Sequence, residues 1–134
     1  MKKEIQKTEK RKRGDLGEEI TCKYIEGRGF RVLERNYWKP WGEIDIVAEK
    51  AGFIRFIEVK TVSRESSSGI SREPIRPEDN LHPAKLKRIH RALQTYLLDH
   101  KVPESREWQL DLACVYLNHV TRKAKVELIE NVIM

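Results

Sequence analysis

Several things are scarce in this sequence, and each scarcity excludes something. No apolar run approaches the length needed to cross a bilayer, and the opening MKKEIQKTEKRKR holds no apolar segment that could act as a secretory signal. A soluble, cytoplasmic protein without a membrane partner is therefore expected. Cysteine is limited to Cys22 and Cys114, far apart and outside any C-x-x-C pair, which argues against a disulfide framework or a zinc knuckle. Two reduced, partly buried thiols are expected instead. The four histidines show no metal-ligand spacing such as H-x-x-x-H, and no internal repeat is detectable. Acidic residues are missing altogether between Asn80 and Leu98.

What is present fits one domain. A chain of 134 residues buries one ordinary core, and its 39% hydrophobic and 36% charged residues keep it outside the disordered class. Most of the formal +6 charge comes from residues 1 to 13, where seven Lys or Arg face two Glu. That placement reads as a flexible basic tail over 1–13 ahead of a single domain over 14–134, so net charge alone does not identify a nucleic-acid binder.

Asp15-Leu16-Gly17-Glu18 has capping-box spacing and predicts a helix from about Asp15 to Arg28, with Leu16, Ile20 and Tyr24 on its apolar side and Ile25 at the margin. Glu18 falls near Cys22 and Ile25, away from solvent. Gly29 ends the helix, and Phe30–Tyr37, Glu43–Glu49 and Phe53–Thr61 read as a strand meander. Serine, arginine and proline from about 62 to 80 predict a long mobile loop. Pro83 suits the first turn of a second helix whose apolar stripe is Leu86, Ile89, Leu93, Tyr96 and Leu97. Trp108–Leu117 and Ala124–Ile129 complete an expected order of α-β-β-β-α-β-β.

Chemistry concentrates in Gly42-Glu43-Ile44-Asp45-Ile46-Val47-Ala48 and Phe53-Ile54-Arg55-Phe56-Ile57-Glu58-Val59-Lys60. Carboxylates embedded in apolar strands are costly unless paired, hydrogen-bonded or bound to a cation. A hairpin turn centred on Lys50-Ala51 pairs position 45 with 56; one centred on Ala51-Gly52 pairs 45 with 58. Either register puts the acids on one face, with opposed Cβ atoms roughly 5 Å and diagonal ones roughly 7 Å apart. A three-residue loop would separate Asp45 from Glu58. Two hard oxygen ligands suit Mg²⁺ or Mn²⁺, and such a metal supplies what phosphodiester hydrolysis needs. Lys60 is placed to orient water or stabilise developing charge.

Asp45 followed after a short hairpin by Glu58-Val59-Lys60 resembles the D…(D/E)-x-K signature of the restriction-endonuclease-like superfamily (PD-(D/E)XK), and with Glu18 the pattern is similar to archaeal Holliday-junction resolvases. Gly17-Glu18, Gly42-Glu43-Ile44-Asp45, Phe56-Ile57-Glu58-Val59-Lys60, Lys85 with Arg88, and Leu110-Asp111-Leu112 resemble, in order, the YraN-like uncharacterised bacterial family, over roughly Gly14 to Leu117. Ile44 stands before Asp45 where many relatives carry proline. The resemblance implies an α/β fold, an α/β/α core around a mixed sheet. It also implies Glu18, Asp45 and Glu58 as metal-site acids, with the Val59 carbonyl completing the site and Lys60 as the catalytic lysine.

The expected activity is a Mg²⁺- or Mn²⁺-dependent endonuclease cutting structured or branched DNA, and paired incisions in a branched substrate would call for a symmetric homodimer. A non-catalytic nucleic-acid-binding module on the same fold is the alternative. Lys85, Lys87, Arg88 and Arg91 are candidate phosphate contacts or simply the solvated side of their helix. Glu43 either lines the site or pairs with an arginine, and Asp111 is expected to be held by structural hydrogen bonds. Trp38 and Trp41, flanking Pro40, either stack on an unpaired base or pack into the core; core packing is the expectation.

Overall fold

The computed structural model describes residues 8–64 and 77–132. Its elements are α1 (Glu9–Glu26), β1 (Arg31–Lys39), β2 (Gly42–Lys50), β3 (Phe53–Arg64), the single turn α2 (Pro77–Asn80), α3 (Pro83–Asp99), β4 (Trp108–Asn118) and β5 (Lys123–Ile129). The strands form one mixed sheet in the order β1-β2-β3-β4-β5. Among the described residues only β3 and β4 run parallel, because α3 lies between them in the chain and carries it back across the sheet.

The sheet divides the core in two. Ile44, Val47, Ile54, Phe56 and Leu110 pack with Ile89, Ala92, Leu93 and Tyr96 of α3. Ile46, Ala48, Ile57 and Ala113 pack with Cys22 and Ile25 of α1. The predicted apolar stripe of α3 is therefore its buried side, and Pro83 opens that helix as expected. Both cysteines are buried and unpaired. Burial raises both thiols, Cys114 to about 11, so they are poor nucleophiles at neutral pH.

Three expectations need correction. Helix α1 begins at Glu9, not Asp15: Thr8 is the cap, its hydroxyl accepting from the Arg11 amide at 3.1 Å, while Asp15 sits inside the helix 3.6 Å from the Arg11 guanidinium. Pairs at i,i+3 and i,i+4, including Lys12 with Glu9, offset enough like charge for residues 9–13 to be helical. The first seven residues of the expected tail lie outside the described residues.

Secondly, the buried face of α1 is Gly17, Glu18, Thr21, Cys22 and Ile25, whereas Leu16 is 49% exposed. The i, i+3/i+4 stripe beginning at Gly17 wins because close approach to the sheet outweighs the apolar character of Leu16. Thirdly, β3 runs on to Arg64, held by its parallel pairing with β4 through Arg64↔Asn118, so the loop expected from 62 starts later. Residues 65–76 of that loop lie outside the described residues.

Candidate active site

The β2–β3 turn is Ala51-Gly52, both at positive φ, which is the tight two-residue connection that suits strand twist. It fixes the second of the two registers. The paired ladder reads Lys50↔Phe53 to Ile46↔Ile57, and the next step sets Asp45 opposite Glu58. Asp45 Oδ2 accepts the Val59 amide at 2.8 Å, so a carboxylate takes a backbone donor at the point where the two strands part. Both acids are buried, at 8% and 5% exposure.

Two close approaches bring the helices to these acids. A Cβ on Gly42 would lie 2.6 Å from the Arg88 carbonyl oxygen, so the start of β2 lies directly against α3. One turn earlier on α3, Lys85 sets its ammonium 3.5 Å from Glu58 Oε2. On the other face a Cβ on Gly17 would collide with Thr61 Oγ1, so α1 rests on β3 and carries the buried Glu18. Glycine here is a contact residue.

The electrostatics favour a cation. Burial raises the Glu58 carboxyl, Asp45 raises it further and Lys85 opposes the shift. Burial also raises Asp45, partly offset by the Val59 amide. Glu18 is pushed up to about 7, first by burial and then by Asp45, with Arg35 opposing. Glu58 Oε1 and Glu18 Oε1 are both buried without a hydrogen-bond partner among the described residues. Asp45, Glu58 and Val59 line a cleft of about 480 Å³, shared with Lys85, Arg88 and the Trp38–Gly42 turn.

The model of the uncharacterised protein family UPF0102 matches residues 17–115. The chain belongs to the UPF0102 family. It is 36% identical over 122 residues to a UPF0102 protein of Helicobacter hepaticus, covering 91% of this chain and 94% of the relative. A UPF0102 protein of Campylobacter lari is 37% identical over 119 residues (89% and 91% covered), and one of Moorella thermoacetica 36% over 121 residues (90% and 94%). The YraN-like resemblance thus holds along nearly the whole UPF0102 chain.

Within this UPF0102 protein the expected site residues separate into groups. Asp45, Glu58 and Val59 come together with Lys85, Arg88 and Glu43 on one cleft wall. Glu18 approaches from α1 and interacts with Asp45, but does not line the cleft. Lys60 is exposed and off the cleft wall, on the Glu58 side of β3 by strand alternation. Lys87 and Arg91 are exposed on α3, and the Arg91 guanidinium lies 4.4 Å from the Trp41 ring centre. Trp38 is 64% exposed, which corrects the expectation of core packing: Tyr37 turns into the α3 core, so its neighbour must point away.

The ion pair of Lys85 with Glu58 was missed by sequence reasoning, although Lys85 stands four residues before buried Ile89 and therefore on the inward side of α3. The donors fit a hard divalent cation: two adjoining buried carboxylates, with one Glu58 oxygen unsatisfied among the described residues. Among the described residues no three acidic, histidine or cysteine side chains form a ready-made cage. Among them, too, no helix is long and apolar enough to cross a membrane.

Proposed function

We propose that this UPF0102 chain is a metal-dependent nuclease with a restriction-endonuclease-like (PD-(D/E)XK) site, hydrolysing phosphodiester bonds in structured or branched DNA, in the manner of a junction resolvase. One observation carries this reading. Two adjoining buried carboxylates, one with an oxygen left unsatisfied among the described residues, open onto a cleft that Lys39, Lys85 and Arg88 also line. A purely structural acid pair would be closed off and fully hydrogen-bonded.

Asp45, Glu58 and the Val59 carbonyl would hold Mg²⁺ or Mn²⁺, with Glu18 in support. When bound, the metal screens the phosphate charge and makes water more acidic. The chain supplies the remainder. The Val59 amide fixes the orientation of Asp45, and Lys85 stabilises the ionised form of Glu58. Arg88, on the cleft wall, attracts the phosphate. Lys60, exposed beyond Glu58 on the same side of β3, would reach in from outside the cleft wall to donate to the attacking water. Glu18, with a pKa of about 7, can hold or release a proton at Oε1 beside Asp45 near neutral pH.

The test is incubation with Mg²⁺ or Mn²⁺ and linear, single-stranded and branched DNA, and RNA, alongside Asp45→Ala and Lys60→Ala. Metal-dependent cutting that both variants lose is expected. Cutting that persists in both would trace to a contaminant and remove the mechanism. A second reading, a binding module without hydrolysis, is favoured by the Lys85–Glu58 ion pair, since an ammonium already partly meets the demand of that acid for a cation. Binding without cleavage under every condition would select it.

A further inference from the structure

The β1–β2 connection is built unlike the other hairpin beside the site. Between paired Lys39 and Gly42 it turns through Pro40-Trp41, with Trp38 immediately before, so two indoles flank the cleft that holds Asp45 and Glu58. The base of this turn is tied down. Tyr37 is buried edge-on against Tyr96 at 5.1 Å and donates its hydroxyl to Asp99 at 2.9 Å, while the Lys39 ammonium sits 3.1 Å from the same carboxylate. Trp38 is thereby held in water on a fixed strand end, 64% exposed.

Trp41 is half-buried, and its indole N–H is buried without an acceptor among the described residues. Its ring carries the Arg91 guanidinium at 4.4 Å, and Arg88, a turn earlier, is on the cleft wall. The helix behind them has no acidic residue between Asn80 and Leu98. Fixed aromatic faces interleaved with cations match the chemistry of a single nucleic-acid strand: rings stack on bases, guanidinium groups attract phosphates, and an indole N–H donates to an oxygen.

We propose that the Trp38–Trp41 turn is a stacking platform for an unpaired nucleobase, which seats the neighbouring phosphate over the Asp45–Glu58 cleft. A base inside a duplex has both faces covered by its neighbours, so an exposed indole selects bases that are single-stranded, displaced or at an end. The substrate class is then nucleic acid with unpaired nucleotides beside the point of attack, and a fully paired linear duplex is excluded. The inference rests on the nucleic-acid reading of the cleft but not on hydrolysis.

The experiment is binding by fluorescence anisotropy in EDTA, using the full chain and three labelled DNAs: a single strand, a blunt duplex and a duplex with a single-stranded flap. Wild type is expected to hold the single strand and the flap on the order of tenfold more tightly than the blunt duplex. Trp38→Ala should remove most of that preference and Trp38→Phe should keep most of it, with unfolding curves for both matching wild type because position 38 is exposed. Equal binding of all three DNAs by wild type would overturn the platform, as would a Trp38→Ala protein with the flap preference intact. A Trp38→Ala protein that instead changes mass in sedimentation, with unaltered DNA binding, would make Trp38 a contact between copies and also overturn it. Without divalent cation no cutting occurs, so failure of the nuclease reading leaves this result interpretable. Conversely, metal-dependent cutting with no flap preference would retain the nuclease and discard the platform.

Discussion

Asp111 and Glu58 stand on neighbouring parallel strands, each buried in an apolar run, and their surroundings treat them in opposite ways. Asp111 is fully buried and its oxygens are occupied: Gln109 Nε2 donates at 2.7 Å, the Asn131 amide at 2.8 Å and the Arg55 guanidinium at 3.1 Å, while Arg55 also reaches Glu130 at 3.0 Å. Glu58 is almost as deeply buried, yet among the described residues its Oε1 has no hydrogen-bond partner, and the carboxylate is met by the Asp45 backbone amide and by the Lys85 ammonium 3.5 Å from Oε2. Burial of a carboxylate is thus not the mark of a functional group. The mark is burial with the hydrogen-bonding capacity left unfilled and a cleft alongside, because such an acid is at rest only with a proton or a cation.

The sharpest way to break this contrast is at Asp111. Asp111→Ala would leave a buried guanidinium short of its partner and untie the Asn131 backbone, so urea unfolding should show a loss of about 3–5 kcal/mol. Glu58→Gln should cost far less, or stabilise the fold at pH 8, because it removes an acid that burial disfavours in its charged form. If both substitutions destabilise alike, the two acids are both structural and the contrast fails.

Next in size, Asp45→Ala or Glu58→Ala should reduce metal-dependent cleavage by more than the roughly 10–100-fold typical of losing a residue behind a metal ligand. Circular dichroism should be unchanged. Gly42→Ala tests the cleft side alone. A methyl 2.6 Å from the Arg88 carbonyl must push α3 outward, and a destabilisation of about 1–3 kcal/mol is expected. The Asp111 network is remote from that contact, so exchange of the Asn131 amide should stay slow.

The smallest effect is in pH dependence. Glu18 has an ordinary pKa of 4.5 and one of about 7 in the fold. Its protonated form is therefore favoured by folding, a contribution present in full below about pH 4.5 and lost as pH rises through 7. Glu18→Gln cannot ionise, so its Tm should gain on that of wild type between pH 5 and pH 8. A Tm difference that stays flat across that range would show that the fold does not disfavour the charged carboxylate.

The strands were legible because apolar alternation reports them directly, and the choice between two hairpin registers needed only the turn at Ala51-Gly52. The apolar stripe of α3 was legible for the same reason. In helix α1 the inward placing of Glu18 with Cys22 and Ile25 holds, but the buried side was centred on Leu16, Ile20 and Tyr24 because the contact with the sheet is made by Gly17, Glu18 and Thr21, which carry no hydrophobic signal, and by a close approach visible only in three dimensions. Its start was missed because charge pairing at i,i+4 looks like a solvated tail when only net charge is read. Asp45 and Glu58 stood out as acids in apolar sequence. Lys85 was read as a phosphate contact or a solvated residue and not as the partner of Glu58, since a cation at the margin of an amphipathic helix ordinarily faces water. The exposure of Trp38 follows from the inward turn of Tyr37, which the sequence around Pro40 does not reveal.

The amide that Asp45 claims from Val59 gives the site a built-in reporter. A backbone proton donated to a carboxylate resonates far from one left on a neutral acid, so its NMR frequency follows the charge on Asp45 without any label or substrate. It also makes assembly all-or-none: slip the hairpin by one residue and the acid loses both its donor and its glutamate neighbour together.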